Sequence, residues 1–159
     1  TAMSNSDPRV PGYLGRALSF ELSAVQQYMT HARLADAWGL ANAAAQFRQE
    51  AQEEMGHVDR IVARMLALGV APNASFLRPV AAGQDLATLL RANCRLEGEI
   101  VHLYEQAHAH CARAHDADGQ AFFAELLKEE QAHAQELERW LNHLVEPAAQ
   151  NSGSQSRRR

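Results

Sequence analysis

Apolar positions recur every three to four residues in four long stretches of the chain, the spacing that turns one face of an α-helix toward a core. The first stretch, about Pro11 to Trp38, carries Leu14, Leu18, Leu22, Val25, Tyr28 and Ala32 on one stripe, with Gly39 placed to stop it. The second, about Ala41 to Leu68, carries Phe47, Ala51, Val58, Ile61, Met65 and Leu68, and Gly69 and Pro72 end it. The third, about Asp85 to His115, has Leu86, Leu90, Ile100 and Tyr104; the fourth, about Gln120 to Val145, has Phe123, Leu127, Leu137, Leu141 and Leu144. Val70 to Gly83, with Pro72 and Pro79, is the longest break, whereas Asp116 to Gly119 is only a turn. Short connections make antiparallel hairpins of helices one–two and three–four, and the long break can run back along the bundle. The pattern predicts an all-α four-helix bundle with one long crossover between helices 2 and 3. Residues 1–10 read as an N-terminal extension, 11–147 as the bundle and 148–159 as a polar C-terminal tail.

Composition narrows the function classes. At 159 residues the chain is one domain's length, and 47% apolar with 21% charged residues is ordinary for a globular protein. Its apolar runs fall short of the roughly 18 residues that a membrane span needs. The opening Thr1-Ala2 reads as residues left by cloning ahead of a native start at Met3, with no secretory signal, so a cytoplasmic location is expected. Three of the 15 basic residues are the terminal Arg157 to Arg159, which leaves 12 against 19 acids in the body. An acidic body argues against nucleic acid as a partner and admits cations. Cys94 and Cys111, on one helix and about 25 Å apart along it, cannot pair with each other and read as reduced thiols.

The telling residues are acids inside apolar stripes. Glu21 falls between Leu18 and Val25, Glu54 between Ala51 and Val58, Glu97 between Asn93 and Ile100, and Glu130 between Leu127 and Leu137. A lone buried carboxylate protonates rather than stays charged. Four that converge require cations. Glu54-Met55-Gly56-His57 and Glu130-Gln131-Ala132-His133 are both Glu-x-x-His, an i, i+3 pair on one helix face, and they lie 76 residues apart. Glu21 and Glu97, Tyr28 and Tyr104, and Phe47 and Phe123 keep the same interval. Two hairpins related by a pseudo-twofold would bring together four carboxylates and two imidazoles, the set used by di-iron and di-manganese carboxylate bundles.

With these residues the sequence resembles the bacterioferritins, from Tyr13 to Asn151. The local matches are Glu21-Leu22 with Gln27-Tyr28, His31-Ala32-Arg33, Trp38-Gly39-Leu40, Glu53-Glu54-Met55 with His57, and Pro72-Asn73. The resemblance implies a ferritin-like bundle with Glu21, Glu54 and His57 on one iron and Glu97, Glu130 and His133 on the other. Glu54 and Glu130 would be the bridges. Tyr28 would hydrogen-bond a ligand carboxylate or donate an electron, and Met55 would clasp a b-type haem shared by two subunits. The family pattern departs here in two places. Gln49 and Glu53 stand where some members carry a His and an Asp for an accessory iron site, and Gln150 to Arg159 lacks the apolar face of the family's short fifth helix. Most of the remaining histidines, at 31, 102, 108, 110, 115 and 143, are expected at surfaces or interfaces.

The function so implied is iron storage with ferroxidase activity: two Fe(II) per subunit, O₂ or H₂O₂ as oxidant, and ferric mineral kept in a homo-oligomeric shell of 24 subunits. Haem, with a redox donor, would carry electrons for iron release. The alternative is a non-storage di-metal oxidoreductase, peroxidase or catalase-like, on the same bundle. Rubrerythrin-type peroxidases usually append Cys-x-x-Cys pairs, which Cys94 and Cys111 do not form.

Overall fold

The computed structural model describes residues 7–73 and 75–153, with side chains as far as Val145. Four helices follow one another: α1 (Arg9–Ala37), α2 (Ala41–Ala67), α3 (Leu86–Arg113) and α4 (Ala117–Gly153). The main packing is α1 on α2 and α3 on α4, with a further contact of α1 on α3. Among the described residues no helix is long and apolar enough to cross a membrane. The core joins all four helices through Leu14, Phe47, Ile61, Leu90, Ile100, Phe123 and Leu137, each at most 2% exposed. Each such side chain stabilises by about 1.5–3 kcal/mol on burial.

Three helices end in the same way. Gly39 and Gly69 both adopt φ +75°, and the next residue's N–H reaches back to close a Schellman turn, Leu40 to the Ala35 carbonyl and Val70 to that of Met65. α3 ends likewise, with Asp116 N–H on the Cys111 carbonyl, but there His115 takes the left-handed position at φ 57°. Asp85 caps the start of α3 by accepting the Thr88 N–H at 2.8 Å.

The crossover lies along α1 and is pinned by a ladder of polar side chains spaced four residues apart. Ser19 Oγ accepts the Phe76 N–H, Ser23 Oγ that of Arg78, and Gln27 Oε1 that of Ala81, while the His31 ring meets the Ala81 carbonyl at 2.7 Å. Asn93 joins the inner end, accepting from Gln27 Nε2 at 2.8 Å and meeting His31 Nδ1 at 3.0 Å. An irregular segment packed on a helix must satisfy its backbone somewhere, and α1 supplies the partners. His31 is thus buried, as is His110, whose ring lies 5.5 Å from that of Tyr13 and 3.0 Å from the Asp7 carboxylate; these two are exceptions to the surface or interface placement expected for most of the remaining histidines.

α4 continues as helix eight residues past Val145. Ala148, Ala149 and Gln150 are good helix formers, so the first part of the segment read as a polar tail keeps helical backbone. Residues 154–159, including Arg157 to Arg159, lie outside the described residues.

Candidate metal centre

Glu21, Glu54, Glu97 and Glu130 each come from a different helix and are all 0% exposed. On each carboxylate Oε2 is buried without a hydrogen-bond partner. The other oxygens are engaged across the bundle. Tyr28 donates to Glu97 Oε1 and Tyr104 to Glu21 Oε1, both at 2.7 Å. His57 Nδ1 meets Glu130 Oε1 at 2.7 Å and Glu21 Oε1 at 3.3 Å, and His133 Nδ1 meets Glu54 Oε1 at 3.0 Å. The two rings stack with centroids 6.0 Å apart.

Two overlapping groups of donors result. Glu21, Glu54, His57 and Glu130 present ligand atoms within 4.8 Å of one another, and so do Glu54, Glu97, Glu130 and His133. Glu54 and Glu130 belong to both. A bridging carboxylate between two cations needs that double membership, whereas Glu21 and Glu97 each face one group alone. Oxygen-rich donors with one imidazole per ion suit Fe(II), Mn(II) or Zn(II).

The electrostatics describe a centre built for cations. Burial, and then the charges of Glu97, Glu21 and Glu130, hold the Glu54 carboxyl well above its usual range; burial and Glu130 do the same to Glu97. Burial alone would pull His57 down, but its hydrogen bonds to Glu130 and Glu21 drive it up to about 10. His133 is raised as well, burial being outweighed by the charges of Glu130 and Glu50. Tyr28 and Tyr104 are pushed far above the usual phenol value by burial and by the carboxylates beside them, so both remain protonated donors.

All six sequence-derived acids and imidazoles thus meet in one place, with Tyr28 against Glu97. Met55 does not join them. It is 47% exposed on the outer side of the α1–α2 hairpin, where it lines a groove of about 700 Å³ with Val25, Met29, Arg33 and Arg48. One residue past Glu54 on a helix is a turn of about 100° away from the centre.

Sequence reasoning had assigned no site role to three residues around the centre. Tyr104 repeats Tyr28 at the 76-residue interval, a signal that was legible. Glu53 sits against His133 Nε2, and Glu129, held by Arg60 at 2.6 Å, lies 3.5 Å from His57 Nε2. Each imidazole therefore turns one nitrogen inward and the other to an outer carboxylate, the arrangement that orients metal-bound histidines.

The sequence profile of the ferritin-like domain family matches residues 12–146. Bacterioferritin of Rhodobacter capsulatus is 38% identical over 132 residues, covering 83% of this chain and 82% of that protein. The chain belongs to the bacterioferritin family. Bacterioferritin of Brucella melitensis biotype 1 is 32% identical over 147 residues, 92% of this chain and 91% of the relative. The 2.6 Å structure of the Rhodobacter capsulatus bacterioferritin superposes with a TM-score of 0.83 at 36% identity, covering 87% of each chain. That structure is described as having a metal-free dinuclear site and a haem iron in a crystallographic special position. As a bacterioferritin the chain serves iron storage with ferroxidase function, which stands over the reading as a stand-alone peroxidase or catalase-like oxidoreductase.

Proposed function

We propose that this bacterioferritin takes two Fe(II) as substrate at the centre, one held by Glu21, Glu54, His57 and Glu130 and the other by Glu54, Glu97, Glu130 and His133. The observation that carries the assignment is the four buried carboxylate oxygens without hydrogen-bond partners, converging with two imidazole nitrogens. Four negative charges offset two divalent cations, which removes the cost of burying the acids. Each Fe(II) gives up one electron, and O₂ takes both with two protons to leave as H₂O₂; with H₂O₂ as oxidant the product is water. Tyr28 and Tyr104 fix the terminal carboxylates, and Glu53 and Glu129 fix the imidazoles, so the ligands are preorganised. The ferric product is stored as mineral inside a shell of this chain's copies, 24 by family resemblance.

The Met55 groove fits a haem: an exposed thioether, an apolar floor of Val25, Ala32 and Ala51, and Arg33 and Arg48 for two carboxylates. Met55 from each of two copies would hold b-type haem between them, and a haem iron on a symmetry element in the Rhodobacter capsulatus protein accords with that. Bound there, haem supplies one-electron transfer.

The storage reading is tested by adding a large excess of Fe(II) in air and weighing the particles with in-line metal analysis after size exclusion. Hundreds of irons on a particle near 24 subunits are expected, and about two irons per chain on a dimer would overturn storage. Glu54→Ala removes a shared ligand and is expected to abolish rapid Fe(II) oxidation at unchanged helix content. Oxidation at the native rate would remove Glu54 from the centre.

A further inference from the structure

The pseudo-twofold that relates the two hairpins fails between α1 and α3, beside the centre. Tyr28 and Tyr104 match across it, but Gln27 is answered by Leu103, His31 by Ala107 and Asn93 by Ala17. All six of these mismatched residues are buried. One tyrosine of the centre is therefore backed by polar side chains and the other by apolar ones.

The polar side closes into a ring. Ala81 N–H donates to Gln27 Oε1 at 3.2 Å, and Gln27 Nε2 to Asn93 Oδ1 at 2.8 Å. Asn93 Nδ2 donates to His31 Nδ1 at 3.0 Å, and His31 Nε2 to the Ala81 carbonyl at 2.7 Å. An imidazole that accepts at Nδ1 carries its proton on Nε2. Burial pushes the His31 imidazole down, which preserves that neutral form. Each member thus donates to the next in one sense around the ring, and bonds in series polarise one another. A buried polar network with every member satisfied rigidifies the elements that carry it. Here these are α1, α3 and the crossover.

The ring adjoins the centre on both helices. Gln27 precedes Tyr28 on α1, and Asn93 stands one turn before Glu97 on α3. Tyr28 donates to Glu97 Oε1 at 2.7 Å, from one helix to the other. His31 meets the Phe47 ring edge-on with centroids 5.8 Å apart, and Phe47 packs on Tyr28 at 6.3 Å. The Tyr28–Glu97 bond keeps its geometry only while α1 and α3 keep their register, and the ring ties them one turn away.

We propose that Asn93 is a positioning residue for the di-metal centre. Through Gln27, His31 and the Ala81 backbone it holds α3 on α1 where Tyr28 meets Glu97, so this carboxylate is aimed before its cation arrives. The proposal rests on the di-metal reading. It concerns Glu97 alone of the two terminal carboxylates, since Glu21 has Tyr104 but no such ring behind it. Without the Asn93 amide, Gln27 Nε2 and His31 Nδ1 lose the partner they share, and Tyr28 no longer fixes Glu97.

The test is an anaerobic Mn(II) titration of the full chain, following free Mn(II) by electron paramagnetic resonance, with Asn93→Ala made in three backgrounds: native, Tyr28→Phe and Tyr104→Phe. Alanine already occupies the matching place at position 17. Gln27→Leu, which copies Leu103, opens the same ring should Asn93→Ala fail to fold. The expected result is two Mn(II) per native chain, one of them bound about tenfold more weakly in Asn93→Ala. The same loss is expected in Tyr104→Phe, whereas in Tyr28→Phe the added loss is less than about twofold, because residues acting through one contact are not additive. An equal loss in all three backgrounds shows a general packing defect and overturns the positioning role. Native affinity in Asn93→Ala overturns it as well, leaving the pair of ions standing. A native chain that binds fewer than two Mn(II) overturns the di-metal reading and this proposal with it.

Discussion

Without metal, the centre holds its charges in check with protons. Burial keeps Glu54 and Glu97 protonated well above the usual carboxylate range, and the carboxylates around His57 keep it protonated up to about 10. Both shifts raise the folded-state value above that of the unfolded chain. The folded chain therefore binds more protons from roughly pH 4.5 upward, and its stability falls as pH rises through the folded values. The metal-free protein is expected to have a higher urea midpoint at pH 5.5 than at pH 8.5, and a midpoint that climbs over that range would contradict the assignment. Metal must displace these protons, so Mn(II) affinity is expected to run the other way and strengthen with pH. The two tyrosines offer a paired check: Tyr28→Phe and Tyr104→Phe each strip the donor from one terminal carboxylate. Each is expected to weaken Mn(II) binding about 10–100-fold, as loss of a ligand's outer partner typically does. A large effect of one and none of the other would show that the half-sites are not equivalent. The six ligands were legible because an acid in an apolar stripe contradicts its surroundings and the contradiction recurs at one interval. Glu53 and Glu129 were not, since an acid at the solvent edge of a helix is ordinary until the imidazole behind it is seen.

Among the elements, the hairpins follow directly from the apolar periodicity, and helix ends fall where Gly39, Gly69 and Asp85 place them. The α3 ending is the exception in chemistry but not in geometry, since His115 occupies the left-handed position that glycine fills at the other two turns. A residue with a Cβ is strained there by about 1–2 kcal/mol. Glycine relieves that strain while adding some freedom to the unfolded chain, so His115→Gly is expected to stabilise by about 1 kcal/mol, or about 2–4 °C in melting temperature. Calorimetry on the metal-free protein checks it, and an unchanged or lower midpoint would show that the exposed imidazole contributes a contact of its own. The crossover's length could be read from the sequence, but its path could not. Ser19, Ser23, Gln27 and His31 stand at four-residue intervals beside the apolar stripe, where polar residues ordinarily mark a solvated face. Their role becomes visible only with the backbone of residues 76–81 lying against them.

At the scale of the whole molecule, the outer face of the α1–α2 hairpin and the inner face of the bundle divide the chemistry between them. Met55→Leu keeps the apolar volume of the groove and removes the thioether, so it is expected to abolish haem absorbance at an unchanged Fe(II) oxidation rate. A native haem spectrum in that variant would place the axial ligand elsewhere. The inner face is shared in a particular way. α1 is packed on α2 and α3 on α4, whereas α2 and α4 meet across the centre through His57 on Glu130 and His133 on Glu54. Each hairpin owns one glutamate and one Glu-x-x-His, and neither owns a finished binding site. Opened between Gly83 and Gln84, beyond the stretch fastened to α1, the chain would become two bidders for the same pair of ions. Their reunion would then depend on the concentration of the halves, as a dimer's does on its subunits, as well as on metal. The intact crossover removes that dependence, holding two incomplete chelators at a fixed local concentration.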